Sequence, residues 1–179
     1  LQMATPMEFT LRLRVPGWLD DAPFASDLYR FSSRTDDEPI GLVISGRRAQ
    51  TQADRGWITL TRQWMSGDRV ELTLPMPARR VFAHDRIKDN VGKAALQRGP
   101  IVYSLEGVDN GGRVVEAVIP LNAQFTPVFQ GELMGGVTVL KADLREAALP
   151  MAATRIYTAV PYFAWANRGR GEMIVWIRY

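Results

Sequence analysis

The chain has 179 residues, 46% of them apolar, which is enough for one large or two small packed domains and too hydrophobic for a disordered polypeptide. Its net charge is only +3, with nineteen arginines and three lysines scattered among nineteen carboxylates, and this argues against nucleic acid as a partner. There is no cysteine, so disulfides, thiolate metal sites and cysteine nucleophiles are excluded within these residues, and no run of eighteen apolar residues marks a membrane span.

Residues 8–15 alternate strictly, with Phe9, Leu11, Leu13 and Val15 on one face, which predicts a half-buried strand ending at Pro16-Gly17. Residues 20–39 are polar and acidic and are expected to form a long loop with at most a short ordered piece. A strand over 41–44 follows. Residues 57–62 and 69–74 then alternate around a turn at Ser66-Gly67-Asp68 and predict a hairpin. Pro75-Met76-Pro77 removes two backbone donors within three residues, so a ladder cannot run through it and a change of sheet or domain is expected there.

Beyond it, short strands are expected at 80–83, 94–98, 101–105, 113–119, 124–129, 137–142, 155–160 and 173–177, punctuated by Gly99-Pro100, residues 109–112 and Gly135-Gly136. Residues 141–148 carry an alternative expectation of one or two helical turns, since Ala, Leu, Arg and Glu favour helix. The final segment has Met173, Val175 and Ile177 on one face and Ile174 and Trp176 on the other, the pattern of a strand covered on both sides.

Catalytic chemistry is hard to assemble from these residues. His84 is the single imidazole, too few for a histidine-based zinc site and without a serine elbow to serve. A calcium loop at Asp20-Asp21 or Asp36-Asp37-Glu38 lacks the required alternation and glycine. Among the carboxylates, Glu106 and Glu172 beside apolar strands are the least ordinary, and both are expected to be salt-bridged or rim groups rather than an acid–base pair. No catalytic residue and no metal ligand is therefore assigned. Of the five tryptophans, Trp64 and Trp176 are expected in packing, whereas Trp57 should face outward if Ile58 and Leu60 point in. Trp18, Trp57 and Tyr162 are the candidate sugar contacts. Phe163, Trp165 and Arg168 are the candidate contacts to another domain, because the Pro- and Gly-bounded segment holding the aromatics is too short to bury them locally.

Four segments, FTLRLRVPGW (residues 9–18), LTLPMP (72–77), LQRGPIVY (96–103) and PYFAWANRGRG (161–171), in this order resemble the C-terminal region of glycoside hydrolase family 127, the bacterial β-L-arabinofuranosidases. The resemblance implies an all-β chain of two small antiparallel, jelly-roll-like β-sandwich domains, the second inserted into the first. On that reading residues 1–78 and 167–179 form the first sandwich and 79–166 the second. It further implies a separate N-terminal helical barrel as partner, holding a zinc ion and a cysteine nucleophile, so that this chain carries no cofactor of its own. Its expected role is to support that barrel or to form a homodimer, in the bacterial cytoplasm or periplasm. The alternative is a carbohydrate-binding module using exposed aromatics.

Overall fold

The computed structural model describes residues 1–19, 23, 26–33, 39–147 and 154–179. The two acidic loops weighed for calcium lie outside the described residues. The fold is all-β. The N-terminal part holds β1 (Met7–Arg14), β2 (Tyr29–Phe31), β3 (Gly41–Ile44), β4 (Arg47–Arg48), β5 (Trp57–Trp64) and β6 (Val70–Thr73). β1 and β5 pair antiparallel along their whole length, Met7 opposite Trp64 and Arg14 opposite Trp57, while β3 pairs with β4 and β6 as a second small sheet. Alternation supplies the filling between the two sheets: Leu13, Val15, Ile58 and Leu60 from one meet Leu42, Ile44, Val70 and Leu72 from the other. The buried Asp68 closes the turn before β6, accepting hydrogen bonds from the Met65 amide (3.0 Å) and the Ser45 hydroxyl (2.7 Å). Trp64 is fully buried, stacked on Phe9, with its indole N–H on the Phe9 carbonyl.

The C-terminal part holds β7 (Ala78–Ala83), β8 (Lys93–Arg98), β9 (Ile101–Glu106), β10 (Ala117–Val118), β11 (Thr126–Gln130), β12 (Val137–Glu146), β13 (Thr154–Pro161), β14 (Met173–Ile174) and β15 (Ile177–Arg178). The pairings β8–β9, β9–β13, β13–β12, β12–β10, β10–β15 and β15–β8 return to their starting point, so two layers close around one core. Every strand of that circuit contributes alternate residues to it, among them Leu96, Tyr103, Leu105, Ala117, Leu144, Tyr157 and Ile177. At the β8–β9 hairpin Gly99 has φ +56°, and a Cβ there would lie 2.4 Å from the Met76 side chain, so the Pro75-Met76-Pro77 linker packs on the hairpin it precedes.

Four expectations are corrected. The hairpin of 57–62 with 69–74 does not form, because the chain changes sheet at the 66–68 turn: β5 pairs with β1 and β6 with β3. The helical alternative for 141–148 fails because Ala142 and Leu144 continue β12 into the core, opposite Tyr157 and Arg155 of β13; propensity yields to tertiary pairing. Residues 113–119 form a strand only at β10. The C-terminal segment does not close the first sandwich: β14 pairs with β9, and β15 pairs with β8 and, in parallel, with β10. The alternation assumed one straight strand, but the chain bends at 175–176. Ile174 and Ile177 thereby both face the C-terminal core, while Val175 and Trp176 join Tyr29, Phe31 and Val81 on its outside. The exchange of elements runs the other way: β2, from the N-terminal part, pairs with β7, and Arg79 lies 3.4 Å above the Phe31 ring while donating to the Trp18 carbonyl.

Candidate functional site

The most elaborate local construction is the segment between β13 and β14. Glu106, at the end of β9, alternates out of the core with Ser104, and the 161–172 segment covers it, leaving Glu106 5% exposed. Burying a carboxylate costs several kcal/mol unless it is paired and fully hydrogen-bonded. Here one oxygen accepts the Ala166 amide (2.7 Å) and the other the Arg168 guanidinium. Arg168 also grips Asp109, through Nη1 to Oδ1 and through Nη2 to Oδ2 at 2.7 Å, in a bidentate fork. Hydrogen bonding to Asp109, then to Glu106, raises the guanidinium pKa above its ordinary value, so ionisation of the arginine itself does not limit the clamp below that ordinary value, and its contribution is lost as the pH rises through the raised one.

The floor is tied down as well. Asn110, 4% exposed, donates to the Glu106 and Thr158 carbonyls at 2.7 and 2.9 Å and accepts the Thr158 amide at 2.8 Å. Gly107 admits this closure, since a Cβ there would lie 2.6 Å from the Gly112 carbonyl oxygen. The Glu172 carboxylate accepts the Val114 and Val115 amides at 2.9 and 3.2 Å, which holds its pKa below the usual carboxylate range. Its stabilising effect is present above the ordinary glutamate pKa and fades as the pH falls through the depressed one.

What this framework presents is aromatic. A 3-10 turn over Tyr162–Ala164 buries Ala164 and leaves Tyr162, Phe163 and Trp165 at 45%, 61% and 38% exposure. Tyr162 and Trp165 lie 6.0 Å apart between ring centroids, and Ala166 adopts φ +61°, an unusual conformation for a residue with a Cβ. Beside Trp165 a cleft of about 380 Å³ is lined by Glu106, Ala166, Gly169, Arg170 and Gly171.

The candidate residues separate into two places. Tyr162, Phe163 and Trp165 share this segment, but Arg168, expected to reach another domain, is committed to Glu106 and Asp109 within its own. Trp57 faces outward opposite Ile58, as alternation requires, yet the Arg14 guanidinium lies 5.4 Å from its ring centroid and covers part of it. Trp18 is half-buried and its carbonyl serves Arg79. Glu106 and Glu172, singled out in the sequence as carboxylates of interest, are consumed by structural bonds. Asp109 and Asn110 were missed, since only the fold brings residues 106–110 beneath 166–172. His84 serves a turn, its Nδ1 accepting the Arg86 amide. Among the described residues no group of three or more His, Cys, Asp and Glu side chains is placed to hold a metal, and no helix is long and apolar enough to cross a membrane.

Comparison with known proteins gives two family matches: the glycoside hydrolase family 127 C-terminal domain over residues 78–178, and the β-L-arabinofuranosidase GH127 middle domain over residues 1–76. A non-reducing end β-L-arabinofuranosidase of Bifidobacterium longum is 31% identical over 196 aligned residues, an alignment spanning 98% of this chain and 27% of that protein. Two solved structures are similar throughout. A GH127 β-arabinofuranosidase superposes with a TM-score of 0.88 at 30% identity, covering 97% of this chain and 28% of its own. A GH127 β-L-arabinofuranosidase from Geobacillus stearothermophilus T6 gives 0.77 at 33% identity, covering 99% and 27%. The chain therefore spans little more than a quarter of the length of these relatives.

Proposed function

This chain belongs to glycoside hydrolase family 127, and from that premise we propose that it is the non-catalytic β-portion of an enzyme hydrolysing β-L-arabinofuranosides, docked through its aromatic segment against a catalytic barrel. One observation carries the reading: Tyr162, Phe163 and Trp165 are exposed, yet the segment bearing them is pinned by a buried, charge-paired network. Exposed apolar clusters normally mark contact surfaces. Rigidity favours a permanent contact, because little entropy remains to be lost when such a segment is covered. The clamp is also the reason Glu106 supplies no acid–base chemistry, as both its oxygens are already engaged.

On this reading the nucleophile and any zinc belong to the helical barrel, outside this chain. The carbohydrate-binding alternative finds less support, since the outward tryptophan Trp57 already has a guanidinium against its ring. The expected result is that the 179-residue chain shows no turnover of a β-L-arabinofuranoside above buffer, whereas a full-length protein carrying it does. Turnover by the chain alone that disappears on Glu106→Gln or Glu172→Gln contradicts the proposal.

A further inference from the structure

A second cleft, of about 420 Å³, lies where the residues after β2 meet the connection between β10 and β11, and it is lined by Ser32, Ser33, Arg80, Phe82, Gln124 and Phe125 among others. Among the described residues, none of those lining it is acidic. Arg80 donates through Nη2 to the Pro120 and Ala123 carbonyls, at 3.1 and 2.7 Å, and its guanidinium lies 5.0 Å from the Phe125 ring centroid. Its Nε is shut off from solvent without an acceptor, and no carboxylate of the described residues pairs with it. Burial alone acts on its ionisation, drawing the pKa below the ordinary guanidinium value.

The contrast with Arg168 is instructive, for that guanidinium has two carboxylates and Arg80 has none. A desolvated cation without a counter-charge is unfavourable unless an anion completes it. Arg30, stacked over Phe82 at 4.9 Å, adds positive potential beside the same cleft. We propose that this cleft is a binding site for a small organic carboxylate, which the uncommitted Nη1 of Arg80 receives while the Ser33 hydroxyl and the Gln124 amide meet the rest of the ligand. The bonds of Nη2 to the two carbonyls hold the guanidinium plane in place, so that Nη1 presents a fixed, charge-assisted donor.

The test is titration of the full 179-residue chain with acetate, D-glucuronate and, as a neutral control, D-glucose at constant ionic strength, following the Arg80 guanidinium and Gln124 side-chain amide resonances. Saturable shifts with both carboxylates and none with glucose are expected. Gln124→Ala should weaken glucuronate about tenfold relative to acetate, a difference of about 1.4 kcal/mol. Arg80→Lys, whose single ammonium cannot hold the Pro120 and Ala123 carbonyls and also present a fixed donor to the ligand, should weaken both. Absence of saturation with either carboxylate, or equal shifts with glucose, overturns the proposal, and because the wild-type spectra decide this, a variant that fails to fold does not rescue it.

Discussion

Deleting residues 172–179 should unfold the C-terminal sandwich while the β1–β5 pair stays protected from hydrogen exchange. Ile177 is 1% exposed in the core closed by β8, β9, β10, β12, β13 and β15, and β15 is the element joining β8 to β10. The deletion also removes β14 from the edge of β9, together with the Glu172 carboxylate that receives the Val114 and Val115 amides. A single Ile177→Ala change should cost about 2–5 kcal/mol, the usual range for emptying a buried aliphatic site. That is a large share of the roughly 5–15 kcal/mol that holds a domain together, so loss of the whole segment should exceed what remains. Exchange measured strand by strand tells where the damage falls. Loss of protection in β8, β9, β12 and β13 is expected, with β1, β3, β5 and β6 retained. The opposite pattern, or an unchanged melting transition, contradicts the pairing described above.

Arg168→Met should be the most damaging single change near the aromatic segment. It leaves the buried Glu106 carboxylate without its cation, and breaking a buried pair from one side typically costs about 3–5 kcal/mol. The segment 162–168 should then loosen, seen as increased exchange at the Ala166 amide, which Glu106 holds at 2.7 Å. The double variant Glu106→Gln with Arg168→Met removes the more deeply buried of the two stranded charges, leaving Asp109, and should cost clearly less than the sum of the two single changes. Strict additivity would mean that the pair acts independently and that the clamp is misassigned. Arg168→Lys should fall between, because an ammonium cannot reproduce the fork onto Asp109.

Much of the fold was legible in the sequence because alternation and turn chemistry act locally. Residues 8–15 and 57–62 declared their inward faces, and Pro75-Met76-Pro77 announced the boundary that the two family matches straddle. What alternation cannot report is a bend. Ile174 and Ile177 are an odd number of residues apart, so on a straight strand they would face opposite sides; the turn at 175–176 puts them in one core and moves the C-terminus to the other sandwich. The aromatic segment was visible as a cluster too dense to bury. Its clamp was not, since Glu106 and Asp109 lie about sixty residues before Arg168, and nothing local links them. Arg80 was hidden for the same reason, because as half of an Arg-Arg pair it looks like ordinary solvated surface until the fold half-buries it against the 120–125 connection.

The claim that the aromatic segment is a docking surface within a longer enzyme is tested most directly by hydroxyl-radical footprinting of Tyr162, Phe163 and Trp165. The comparison is between the 179-residue chain and a full-length family member carrying it, both at the same high dilution so that self-association does not contribute. The account predicts ready oxidation of all three in the chain, led by the most exposed, Phe163, and strong protection in the full-length protein. Equal oxidation of the three residues in both proteins would contradict it.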